Sequence, residues 1–412
     1  MIRNTPETRA NHPSPWQGVA ALALNHGAND MYMAFLPALL PLIVARLDLS
    51  YRSAGLLVSI VTLTSQLSQP LFGLLGDRVG RRALAVAAPV MTALSMSWLG
   101  LLNSYDLLLI ALILGGAGTA AFHPQGAALT SAVVRRGTGV AMAVFTAGGN
   151  LGYGAGSVLV TVLVSRLGME RTWLTLPIGV AAAAFLIAAV PRSVDSAGAP
   201  PASAAGRAAR RWLAPLIVLY LVVMLRGATV TAFTTFVPIL IERRGLALVL
   251  GGWALFGFSL AGAVGGVVGG RLSDRVGRKM VTVVGLGLAA PLLYLFLRAD
   301  GFAAAALLLL TGTCVFSALP TNIVMAQELL PRHASMVSGV VMRFAWGIGG
   351  LATTGVGALA DTWALSFGGL GGLERAMDLI AVMPLAAAVL ALALPETRHG
   401  GDGPARTPLG PG

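Results

Sequence analysis

Gly73-Leu74-Leu75-Gly76-Asp77-Arg78-Val79-Gly80-Arg81-Arg82 returns 197 positions later as Gly270-Arg271-Leu272-Ser273-Asp274-Arg275-Val276-Gly277-Arg278-Lys279. Each copy separates two hydrophobic runs. The shared pattern, G-x-x-x-D-R-x-G-R-[RK], is a short charged hairpin in otherwise membrane-grade sequence. One loop duplicated in the same topological place marks a chain built from two similar halves. Pro41 and Pro238 keep the same offset, each near the far end of the first run of its half. Phe122-His123-Pro124-Gln125 and Leu319-Pro320-Thr321 also fall at matching places.

Composition identifies the solvent. The 412 residues are 56% hydrophobic and 11% charged, with mean hydropathy +0.80. Soluble domains carry about 25% charged residues, so this chain could not cover its surface in water and lipid must surround it. Cys314 is the single cysteine and excludes an intramolecular disulfide. A net charge of +12 would suit nucleic acid, but the basic residues sit in short loops between apolar runs, so no nucleic-acid partner is expected. No cleavable leader is apparent, because the first sixteen residues are polar and lead straight into an apolar run. There is no G-x-S-x-G, no Walker loop and no clustered Cys/His set. The chain is therefore expected to be no enzyme, to use no cofactor or metal, and to draw on an ion or solute gradient.

Twelve runs reach spanning length, about 20 residues each. They cover 17–45, 53–75, 83–102, 106–133, 138–165, 172–190, 213–241, 248–272, 280–298, 302–329, 335–361 and 374–394. The fold class is all-α integral membrane protein, in two pseudo-symmetric six-helix bundles. Residues 1–190 form the first half and 212–396 the second. The Pro/Ala/Gly/Ser-rich stretch 191–211 reads as a cytoplasmic linker, and 397–412 as a disordered tail. With both termini inside, inner loops and tails hold eighteen of the 28 Lys and Arg, and outer loops eight. That bias predicts cytoplasmic termini.

The doubled D-R-x-G-R hairpin and the six-plus-six layout resemble the major facilitator superfamily over essentially the whole chain. Several stretches are similar to the fosmidomycin resistance protein family of bacterial exporters. They include His26-Gly27-Ala28-Asn29-Asp30, Gln69-Pro70 before Gly73, Phe122-His123-Pro124, Gly148-Gly149-Asn150-Leu151-Gly152, Met325-Ala326-Gln327-Glu328-Leu329-Leu330-Pro331 and Gly357-Ala358-Leu359-Ala360-Asp361. The resemblance implies a monomer in a bacterial inner membrane, with a small-molecule substrate and protons as its partners.

Charges inside a membrane cost about 2.5–3.5 kcal/mol each on insertion scales, so each of the few present is a candidate. Asp30 lies mid-run, and His26 precedes it at i,i+4 spacing on one helix face. Each tunes the other's proton affinity, which makes the pair a candidate proton site; a fixed hydrogen bond to a neighbouring helix is the structural alternative. His123, before a helix-bending proline, is a candidate substrate or proton ligand, or a satisfied interhelical histidine. Arg226 cannot shed its charge and needs an anion, either Asp30, a substrate, or both in turn. Arg343 and Glu328 are expected to form a structural or gating ion pair. The resemblance implies that the first and fourth helices of each half line a central cavity. That would gather Asp30, His26, His123, Gln125, Arg226 and Asn322 around one polar space suited to an anionic or zwitterionic solute.

The hairpins read as gates: Asp77, Arg78, Arg81, Asp274, Arg275 and Arg278, with Glu328 and Arg343 beside them. By the resemblance, Asp77 holds the start of the eleventh run and Asp274 that of the fifth, where a helix dipole favours negative charge. The glycines of the fifth run resemble part of an exporter motif of drug/proton antiporters. The expected proline is missing, since Tyr153 follows Gly152 and Ser157 follows Gly156. The expectation is a proton-coupled antiporter exporting a fosmidomycin-like anion or zwitterion by alternating access. A proton-coupled importer of an organic anion is the alternative, and a non-transporting receptor a remoter one.

Overall fold

The computed structural model describes residues 14–134, 137–190, 212–330, 337 and 339–397. The linker expected at 191–211 and the tail beyond Thr397 lie outside the described residues. The first set of helices is α1 (Pro15–Met33), α2 (Phe35–Leu47), α3 (Tyr51–Leu67), α4 (Gln69–Val79), α5 (Arg81–Ser97), α6 (Tyr105–Val133), α7 (Thr138–Leu167) and α8 (Leu176–Ala189). A 3-10 stretch, Met169–Thr175, leads into α8. The second set is α9 (Leu213–Arg243), α10 (Leu248–Val276), α11 (Arg278–Phe296), α12 (Gly301–Leu329) and α13 (Ala345–Ala391), with a π-helical turn at Val340–Phe344. No strand occurs among the described residues.

Eight stretches are long and apolar enough to cross a membrane alone; the pair α3–α4, bent by 44°, makes a ninth. Helix α5, at 17 residues, and the two arms of α13 bring the helical spans to twelve among the described residues. The α13 arms meet at Gly368, whose φ of 76° is a conformation that L side chains rarely adopt. The residues between 361 and 374, which lie between the eleventh and twelfth runs, are helical apart from that one joint. Gly372 needs its bare Cα because a side chain would strike Ala360 and Ala364. Both hairpins turn on the motif's second glycine, Gly80 at φ 99° and Gly277 at φ 107°, which explains why both copies keep it.

Burial is inverted relative to a soluble protein. Leu71, Ile110, Val267, Leu288 and Val389 are each at least half exposed, while Asn25, Asn29, Gln125, Arg226 and Asn322 are almost wholly buried. Apolar flanks and a polar interior suit lipid as the surrounding solvent.

The two sets meet chiefly along α3–α13 and α7–α10. Glycines make these crossings close: a Cβ on Gly55 would collide with Thr353, and one on Gly252 with Ser157 and Thr161. Among the described residues, hydrogen bonds joining the sets cluster toward the end opposite the hairpins. Ser59 Oγ donates to Gly350 O at 2.9 Å, and Ser157 Oγ to Gly252 O at 2.9 Å. Asp361 accepts from the start of α3. The sets are thus fastened at one end, away from the hairpins.

Candidate functional site

Helix α1 places His26 and Asp30 one turn apart, and α6 brings His123 to the same carboxylate. His26 Nε2 lies 3.2 Å from Asp30 Oδ2, and His123 Nε2 lies 3.2 Å from Asp30 Oδ1. Asn29 Nδ2 donates to Oδ1 at 3.1 Å. The far side of the His26 ring decides its proton count. Its Nδ1 faces Phe145 O of α7 at 2.7 Å, and a carbonyl only accepts, so Nδ1 carries a hydrogen. A proton must then sit between Nε2 and Oδ2, on one atom or the other, for that contact to be attractive. His26 also stacks on the Phe145 ring at 4.2 Å. The three ligand atoms lie within 4.8 Å of one another, spaced to share a cation as well; direct His–carboxylate contacts support the proton reading.

This closeness depends on glycine. A Cβ on Gly149 of α7 would stand 2.5 Å from His26 Nε2 and 2.9 Å from Asp30 Oδ2. The glycine-rich α7 therefore lies backbone-down on the cluster.

Of the anions expected for Arg226, Asp30 is not paired with it in this conformation. Arg226 is 0% exposed, and none of its guanidinium nitrogens has a hydrogen-bond partner among the described residues. It rests on the Trp346 ring, 4.9 Å from the centroid. A buried unpaired charge carries a penalty on the order of several kcal/mol, which an indole face offsets only in part. Asp30 is occupied elsewhere, by two histidines and Asn29.

Nor does Arg343 meet Glu328. Arg343 lies in the π turn, without an ion pair among the described residues. Glu328 is held by Arg278 at 3.3 Å and by the Thr397 hydroxyl at 2.5 Å. Nearness along the chain misled the pairing. Gln125 and Asn322 also leave the expected polar space. Gln125 donates to Phe72 O of α4 at 2.7 Å, and Asn322 accepts from Thr282 of α11 at 3.0 Å. Both tie neighbouring helices together, which a residue's depth along its own helix does not reveal.

Among the described residues, the hairpin acids pair within their own sets. Asp77 accepts from Arg81 at 2.8 Å, and Asp274 from Arg278 at 2.5 Å; their side chains are 44% and 67% exposed. Arg78 and Arg275 are exposed as well. The second hairpin is clasped further, because Glu396 accepts the backbone N–H of Arg278 at 2.8 Å and of Lys279 at 3.2 Å. In the first, Arg82 instead donates to Val190 O and Ile187 O, both at 2.6 Å.

Sequence reading missed the Phe145 carbonyl, Asn29, Trp346 and Tyr153. Tyr153 stands near Thr234 of the other set and within electrostatic reach of Asp30. A main-chain acceptor leaves no sequence signal. Tyr153 had one, since it occupies the place where the exporter motif expects proline.

Comparison with known proteins gives a consistent result. The chain is 27% identical to the fosmidomycin resistance protein of Escherichia coli (strain K12), covering 92% of this chain and 93% of that one. It is 27% identical to a probable 4-methylmuconolactone transporter of Cupriavidus pinatubonensis, over 96% of this chain and 94% of that one. Among solved structures, a bacterial homolog to the human lysosomal transporter Spinster, inward-facing and unoccupied, superposes with a TM-score of 0.78. That match covers 93% of this chain and 97% of the other at 16% identity, and so speaks for the fold. The sequence model of the Major Facilitator Superfamily matches residues 22–354. With that match on a twelve-span helical architecture, the chain belongs to the Major Facilitator Superfamily and is a multi-pass membrane transporter.

Proposed function

We propose that the protein is a proton-coupled secondary transporter of a small anionic or zwitterionic compound, working by alternating access in a bacterial inner membrane with both termini cytoplasmic. The observation that carries this reading is a division of labour. The first set holds a cluster sharing one proton, His26–Asp30–His123, and the second holds Arg226, a buried cation with no partner among the described residues. A cation lacking an internal counter-ion calls for an external anion. Similarity to a fosmidomycin resistance protein supports a fosmidomycin-like compound as cargo, and the cluster on the first set is the reason to read the transport as exchange for protons. The hairpins act as the cytoplasmic gate: Asp77 and Asp274, exposed here, would grip helix starts of the opposite set when that end closes.

The test is fosmidomycin accumulation in everted vesicles under an imposed pH gradient, comparing wild type with Asp30→Asn and Arg226→Ala. Gradient-driven accumulation lost in both variants is expected. Wild-type rates in Asp30→Asn would falsify the proton assignment.

A second reading, import of an organic anion together with a proton, is favoured by the similarity to a probable 4-methylmuconolactone transporter. An anion bound near the cluster would help its histidines hold a proton. Anion and proton would then bind together, and by linkage each would tighten the other. Substrate affinity that rises as pH falls selects this reading; affinity that falls selects exchange.

A further inference from the structure

Three of the basic residues expected in outer loops meet in one cavity at the end away from the hairpins. Arg244 caps α9, Arg298 follows α11, and Arg375 lies in the second arm of α13. With Phe367, Glu374 and Asp378 they line a space of about 660 Å³. Every residue lining it belongs to the second set, so it stands apart from the crossing of the two sets and from the His26–Asp30–His123 cluster. Basic residues are sparse on the outer side of membrane proteins, and their convergence here needs a reason beyond topology. We propose that the cavity seats the phosphate of an anionic phospholipid headgroup from the leaflet opposite the hairpins, with Arg375 as the guanidinium that closes on it.

The charges point to an anion. Asp378 accepts from Arg298 with both oxygens, at 2.8 Å and 2.9 Å, and Glu374 accepts from Arg244 at 2.9 Å. Arg244 is fixed further by the Leu297 carbonyl at 2.6 Å. Three guanidinium groups therefore share two carboxylates, and Arg375 is left without an ion pair among the described residues. It lies over the Phe367 ring, 3.6 Å from the centroid. That contact holds the face of the guanidinium and uses none of its N–H donors. A phosphate diester supplies the single negative charge the cavity lacks, in a shape that a planar fork grips with two hydrogen bonds.

The surroundings point to lipid as the source of that phosphate. Aromatic side chains gather at headgroup depth in membrane proteins. Here Tyr294 and Phe367 are 46% and 48% exposed, and each lies against a guanidinium, with Arg298 3.5 Å from the Tyr294 centroid. Toward the hairpin end the flank is apolar: Leu288 and Leu295 on α11, and Val382 and Leu385 on α13, are about half exposed on helices that pack together. A diacyl lipid lays its chains on that flank while its phosphate reaches the arginines. A soluble anion gains nothing from the flank.

The test uses the full chain in nanodiscs of equal phosphatidylglycerol and phosphatidylcholine, with lipids that leave the bilayer with the protein counted by native mass spectrometry. Both lipids carry the phosphate, and choline cancels its charge in the second. Phosphatidylglycerol is expected to be retained about fivefold over phosphatidylcholine. Arg375→Gln should remove most of that preference and Arg375→Lys should keep part of it. Arg166→Gln, at an exposed arginine of the first set, should leave it as in wild type. Thermal unfolding of the Arg375 variants should match wild type, which separates loss of the site from loss of fold. Equal retention of the two lipids by wild type overturns the proposal, as does a preference that survives Arg375→Gln or falls as far in Arg166→Gln. Displacement of phosphatidylglycerol by millimolar glycerol phosphate would assign the cavity to a soluble phosphate and overturn the lipid.

Discussion

The Asp361 carboxylate of α13 accepts the backbone N–H of Tyr51 at 2.8 Å and that of Arg52 at 2.9 Å, joining the helix sets at the end away from the hairpins. Ser50 takes the next free donor, Ser53 N, at 3.1 Å, so the first turn of α3 is satisfied from both sets. Tyr51 adds its hydroxyl to Gly369 O at 3.2 Å. Opening this end requires the carboxylate to let go. Asp361→Ala is expected to weaken the closure by about 1 kcal/mol, the usual worth of such a cap, and Asp361→Asn by less. Distances between spin labels placed across that end should show the open population rise several-fold. An unchanged distribution would remove Asp361 from the gate.

The proton cluster predicts unequal histidines. His26 bridges the Phe145 carbonyl and Asp30, whereas His123 has one contact and a buried Nδ1 with no partner among the described residues. His26→Ala should reduce substrate-evoked proton movement to background while exchange at equal substrate concentrations persists. His123→Ala should reduce it in part. Proteoliposomes holding a pH-sensitive dye would report both, and equal losses would contradict the asymmetry.

Gly149→Ala places a methyl against His26 Nε2 and Asp30 Oδ2. Overpacking of this kind costs about 1–3 kcal/mol, and here it falls on the reacting atoms. Transport should fall far more than thermal stability in detergent does. Gly266→Ala, on a glycine with open space around it, serves as the control and should leave both near wild type.

Exposure separates the members of the second hairpin's network. Asp274 is 67% exposed, while Glu328 is 22% exposed and bonded to both Arg278 and Thr397. Asp274→Ala should change unfolding by less than about 1 kcal/mol, as solvent-screened pairs do, yet slow turnover if Asp274 grips the opposite set in the other conformation. Glu328→Ala should lower stability measurably more. Differential scanning fluorimetry beside a turnover assay resolves the two effects.

Much of the fold was legible because duplication leaves a strong signal. Gly80 and Gly277 were kept in both copies by a positive φ, and that constraint shows in the letters. His26 and Asp30 were also readable, since i,i+4 spacing fixes a shared helix face. Rotation of one helix against another was not readable. The resemblance's rule that the first and fourth helices line the cavity grouped Gln125 and Asn322 with the cluster, but their hydrogen bonds run to Phe72 and Thr282. Arg343 and Glu328 looked like partners through proximity in sequence, whereas Glu328 is held by Arg278. Helix extends into the stretch between the eleventh and twelfth runs, where Gly372 is demanded by packing inside a helix, a constraint set by neighbours that the letters alone do not show.

The hold of Asp361 on α3 has a consequence for how the sequence can drift. Its carboxylate grips main-chain donors, which every amino acid except proline supplies. Selection can therefore see one partner of this latch and remain blind to the other. Position 361 should tolerate little change among descendants of this gene, while Arg52 should vary freely in everything but the imino acid.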